Sequence, residues 1–210
     1  MADVTYRRDA TGLLVVDPYN DFLSEGGKVW PRVREVVEAN GCVPHMLQIL
    51  TAARAAGLRI FFAPHHRWRP GDYETWTSLA PTQELAARSQ VFAEGTWGGT
   101  FRDEFTPQPG EIVAQEHWCS SGFANTDLDL QLKKHGRQRV IVIGLLANTC
   151  IDSTVRFAAE LGYDVTLVKD AIGSRSWDEM QATLEVNAPH YARAILSTDE
   201  LLAAFQNINA

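Results

Sequence analysis

The stretch VIVIGLLANTCIDSTVRFAAELGYDVTLVKDA, residues 140–171, decides the fold. Its β-branched run at 140–143 reaches Gly144 without a polar break, as in a strand buried on both faces. Residues 149–161 then read as a helix stopped by Gly162, and a second apolar run, VTLV at 165–168, ends before Asp170. Strand, helix and strand in this order form a βαβ unit with parallel strands. Working outward, GLLVV at 12–16, LRIFFA at 58–63, and the shorter runs at 112–115 and 194–196 repeat the pattern. Between the first two, Val33, Val36, Val37, Met46, Leu47 and Leu50 recur at helical spacing, with Pro44 expected to divide the segment and Gly57 to close it. Further helices are expected from 127 to His135-Gly136, over 177–186, and over 199–205 behind a Ser197/Thr198 cap with Glu200 completing a capping box. The fold class is therefore α/β with a mostly parallel sheet.

A chain of 210 residues at this composition is read as a single domain, 1–210, large enough for one core. Its 26 acidic and 19 basic side chains give a net charge of −7, which argues against a broad nucleic-acid or anionic-membrane surface. Cys42, Cys119 and Cys150 show neither a zinc nor a redox spacing, so a reducing compartment is expected. Residues 1–10 lack the apolar stretch of a signal peptide, and no window approaches the roughly 20 apolar residues of a membrane span. The expected protein is cytoplasmic. Residues 65–110 differ from the rest: they carry Trp68, Trp76 and Trp97 with prolines, glycines and little periodicity beyond a small helix at 82–88. Such a segment is either a lid or subunit contact, or a surface excursion.

In an open parallel sheet, ligands bind beyond the carboxyl ends of the strands. That edge collects Asp17 after the first strand, His65 and His66 after the second, Glu116 and His117 after the third, and residues 144–150 after the fourth. Cys150 stands at the start of a helix, where backbone N–H groups and the macrodipole favour a thiolate and could hold an oxyanion. Burial as a small hydrophobe is the competing role. Asp17 could be a cap, or a base for the thiol if its strand neighbours the fourth. Adjacent histidines at a strand end diverge, so no metal site is expected at His65 and His66.

Several blocks resemble the isochorismatase-like cysteine hydrolase superfamily, which includes nicotinamidases and carbamoylsarcosine amidohydrolases. They are LLVVDPYNDF (13–22), HWCSSGFANTDLDLQL (117–132) and GLLANTCIDSTVRFAAELGYDVTLVKDA (144–171). The resemblance implies a three-layer α-β-α sandwich around a six-stranded, Rossmann-like sheet and an Asp–Lys–Cys triad. Asp17 and Cys150 match two members. It also implies a cis peptide between Leu145 and Leu146, with an oxyanion hole formed by Leu146 and Cys150. Glu116 is assigned to the lysine position, where a carboxylate would raise the thiol pKa and share a proton with Asp17. The nicotinamidase metal motif is absent from the APHHRW run at 63–68.

The expected function is hydrolysis of a small-molecule C–N bond of amide, imide or urea type through Cys150, with Asp17 and Glu116 handling protons. Phe22, Asn20, His66 and Trp118 are expected to contact the substrate. No cofactor is expected, and relatives imply a homodimer or homotetramer. Two alternatives are vinyl-ether hydrolysis of an isochorismate-like substrate by a carboxylic acid, and a binding protein that lost activity with the lysine.

Overall fold

The computed structural model describes residues 5–208, so residues 1–4 of the polar amino-terminal stretch lie outside the described part. Six strands, β1 (Thr11–Val16), β2 (Arg59–Ala63), β3 (Ile112–Val113), β4 (Arg139–Leu145), β5 (Asp164–Gly173) and β6 (Ala194–Leu196), form one sheet in the order β3-β2-β1-β4-β5-β6. Every pair is parallel. The chain builds outward from β1 to β3, returns to the other side of β1 and builds outward again to β6. The order reverses between β1 and β4, and the crevice at that switch point is where such sheets bind ligands.

Side-chain alternation supplies three layers. Leu13 and Val15 pack with α2 (Trp30–Ala39), α3 (Cys42–Ala55) and α7 (Thr198–Phe205) on one face. Leu14 and Val16 pack on the other, with α5 (Leu128–Lys134) and α6 (Asp152–Glu160). Burial on both sides is why these strands read as unbroken apolar runs. At Gly144, φ is 128° and a Cβ would run into the Val16 carbonyl, so glycine permits β4 to close against β1 beside the crevice.

Several boundaries moved: β5 runs on to Gly173, and the helix expected over 177–186 passes into a π-helical turn at Ala182–Asn187. The long helical stretch divides at Gly41, whose φ of 61° breaks the α-helix, and Pro44 falls in the first turn of α3, where its missing N–H costs nothing. The helix expected from 149 begins earlier, as a π-helical turn at Ala147–Ile151 that runs into α6. Within 65–110, α4 (Pro81–Ser89) forms as expected, and the segment is strapped to the sheet edge. Asp21, in α1 (Asn20–Leu23), accepts the Phe92 N–H at 2.7 Å, and the Tyr19 hydroxyl donates to the His65 carbonyl at 2.7 Å. No described helix is long and apolar enough to cross a membrane.

Candidate active site

The ends of three strands deliver the reactive groups. Asp17 leaves β1 at φ 53°, a left-handed conformation that aspartate tolerates better than most residues. Its N–H is tied to the Ala63 carbonyl at 3.3 Å, and its side chain is fully buried. Beyond β4 the Leu145–Leu146 peptide is cis. The following π-turn, in which Thr149 and Ile151 both donate to the Leu146 carbonyl, holds Cys150.

The third group comes from the extension of β3. The His117 N–H donates to the Pro64 carbonyl at 2.9 Å, and its own carbonyl accepts from His66 N–H at 2.8 Å. This pairing aims the imidazole into the crevice, with Nε2 at 3.1 Å from Asp17 Oδ1. The ligand atoms of Asp17, His117 and Cys150 lie within 4.8 Å of one another. A carboxylate can only accept, so Nε2 carries the proton of this bond. Within this cluster two buried polar atoms, Asp17 Oδ2 and His117 Nδ1, have no protein partner. Buried polar atoms are almost always bonded, so orphans here mark places for a transferring proton or a bound group.

Burial, followed by the Asp17 charge, pushes the Cys150 thiol well above its ordinary value. The resting group is the thiol, and its proton must leave as sulfur attacks. Sulfur opens onto a cavity of about 110 Å³ walled by Phe22, Leu85, Phe92, Leu146 and His65. His65 donates from Nδ1 to the His66 carbonyl at 2.8 Å and packs edge-on against His117. Burial, then the neighbouring His117, push its pKa down to about 4. A carboxylate, an imidazole and a thiolate at this spacing also form a donor set of the kind zinc takes.

A family model of the isochorismatase domain matches residues 11–200. The chain belongs to the isochorismatase family of hydrolases. It is 30% identical to the ureidoacrylate amidohydrolase RutB of Methylorubrum extorquens, over 80% of this chain and 71% of that protein. The RutB of Rhizobium rhizogenes is 27% identical over 95% of this chain and 85% of its own length. Among solved structures, a cysteine hydrolase from Pseudomonas syringae pv. phaseolicola superposes with a TM-score of 0.79 at 22% identity, covering 98% of this chain and 99% of that one. An isochorismatase family protein from Desulfovibrio vulgaris gives 0.76 at 25% identity, covering 92% and 98%.

Within this isochorismatase-family site, the group between Asp17 and Cys150, where lysine was implied, is His117. Glu116 requires correction. Neighbours on an extended chain point to opposite sides, so a displacement of one residue exchanges the crevice for the outside. The Glu116 carboxylate accepts from Arg67 Nε at 2.5 Å and Arg67 N–H at 3.1 Å, and lies 3.2 Å from His66 Nδ1. Burial alone would raise its pKa, but the bonds from His66 and Arg67 outweigh it and hold it at about 2.

Three expected substrate contacts also move away from the sulfur. Asn20 is 3% exposed and spends its amide on the Trp97 carbonyl, the Thr100 hydroxyl and the Phe101 carbonyl, bracing the 65–110 segment. His66 stacks on Trp118 with ring centroids 3.5 Å apart and pairs with Asp72 at 2.7 Å. That stack keeps both rings outside the Cys150 cavity. Phe22 does line the cavity, as does Cys119, for which only a structural role was expected. Phe123 packs in the core against Tyr163. The roles of His117 and His65 were not legible in the sequence, although both residues follow strand ends.

Proposed function

We propose that this isochorismatase-family protein hydrolyses a small-molecule C–N bond of amide, imide or ureido type through Cys150. The observation that carries the reading is the buried contact of Asp17, His117 and Cys150 at the sheet's switch point. Asp17 Oδ2 takes the thiol proton as sulfur bonds to the carbonyl carbon. The oxyanion is held by the N–H groups of Leu146 and Cys150. When the C–N bond breaks, the nitrogen leaves with the proton held on Asp17. Water then cleaves the thioester and returns a proton to sulfur. His117 orients Asp17 through its Nε2–H, while Nδ1 is the free acceptor for the attacking water.

The vinyl-ether alternative takes its acid from Asp17 or Glu116; Glu116 lies outside the cavity and resists protonation, so that reaction would rest on Asp17 alone and would survive Cys150→Ala. The inactive-binder alternative rested on an empty lysine role, which His117 fills. We place the enzyme in the cytoplasm, in keeping with its three free thiols, and as a homodimer or homotetramer using exposed Trp76, Trp97 and Trp177.

The test is ammonia release from a panel of ureides and primary amides, together with pyruvate release from isochorismate, by wild type and Cys150→Ala. Loss of ureide or amide turnover together with loss of iodoacetamide labelling at residue 150 is expected. Turnover that survives Cys150→Ala overturns the nucleophile assignment.

A further inference from the structure

The Cys150 cavity differs in charge from the molecule around it. The chain is acidic overall, yet no aspartate or glutamate lines this cavity, whereas Lys28, Arg32 and Arg175 do. The three cations are not equivalent. Lys28 Nζ is 2.5 Å from the Gln90 carbonyl, and Arg175 is neutralised by Glu179 at 2.9 Å. Arg32, exposed in the first turn of α2, has no carboxylate partner among the described residues. Leu85, Val91 and Phe92 add apolar lining, so one cavity is lined by the Cys150 nucleophile, by apolar side chains and by a free guanidinium.

From this arrangement we infer that Arg32 is a specificity-determining residue that binds a substrate carboxylate, making the preferred substrates small ureido or amide acids. The inference rests on the proposed Cys150 chemistry and adds the charge of the molecule it acts on. A planar guanidinium matches a carboxylate with two parallel hydrogen bonds. The local positive field also offsets the repulsion that a net charge of −7 exerts on an arriving anion.

The experiment compares a ureido acid with its methyl ester, using wild type, Arg32→Met and Arg32→Lys. Wild type is expected to favour the acid by about 10- to 100-fold in kcat/KM, the range of a charge-assisted hydrogen bond. Arg32→Met should bring that ratio close to one, mostly through KM, and Arg32→Lys should recover part of it. Equal use of acid and ester by wild type, or a ratio unchanged in Arg32→Met, overturns the inference. If neither compound turns over, the Cys150 reading fails for ureides, and calorimetric titration with the same acid decides the Arg32 question separately. Binding of the acid that Arg32→Met weakens at least 10-fold supports the carboxylate site, and absent or unaltered binding overturns it.

Discussion

Replacing Glu116 and His117 in turn, each by glutamine, should separate fold from chemistry at adjacent positions. The fall of the Glu116 pKa from 4.5 to about 2 corresponds to about 3 kcal/mol of stabilisation. Its side chain keeps 20% exposure, so solvent screening lowers this to about 2 kcal/mol. The folded-state value is depressed, so the contribution is complete above the unfolded-state value and is lost as pH falls from 4.5 towards about 2. At pH 7, Glu116→Gln should therefore lower Tm by roughly 6 °C for a chain of this size. Its kcat, measured well below that Tm, should stay within about threefold of wild type, because the carboxylate does not face the sulfur. His117→Gln should do the reverse. Its amide can still donate to Asp17, so stability should change by about 1 kcal/mol or less. Loss of the proton-accepting Nδ1 should lower kcat by about 10² to 10⁴. The assays are thermal melts and ammonia release on the same preparations. A Glu116→Gln enzyme slowed 100-fold with an unchanged melt, beside an active His117→Gln enzyme, would refute the assignment.

Two further outcomes follow from the same crevice. His65, ordinarily near 6.5 and here about 4, leaves the unfolded chain binding more protons between those values, so stability falls as pH drops through that window. Urea melts of wild type should lose about 2 kcal/mol more than His65→Asn between pH 8 and pH 5. The opposing contribution of His66, whose pKa is raised because bonds to Glu116 and Asp72 outweigh its burial, is common to both proteins and cancels. Equal losses would remove His65 from the account. Zinc or cadmium should inhibit reversibly by bridging Asp17, His117 and Cys150, with chelator restoring activity. Cadmium should also produce a sulfur charge-transfer band that Cys150→Ala lacks, and inhibition without that band would place the metal elsewhere.

The parallel sheet was legible because strands buried on both faces must be continuous apolar runs, as Leu13 to Val16 and Val140 to Ile143 are. Asp17 and Cys150 were legible because each follows such a run directly, and position along the chain is enough to place a residue at the carboxyl edge. The family's motifs added the cis bond before Leu146. What lies beyond a strand as short as Ile112–Val113 was not legible. Whether Glu116 or His117 enters the crevice depends on which backbone groups pair with Pro64 and His66, about fifty residues away in the chain, and a shift of one residue reverses the answer. The same holds for Asn20, whose partners at Trp97, Thr100 and Phe101 are set only when the irregular segment folds back over α1. Local periodicity along the chain was enough to place the layers, the edge and two of the three reactive groups. The tertiary structure decided the third group and the cavity's charge, because those depend on contacts between distant segments.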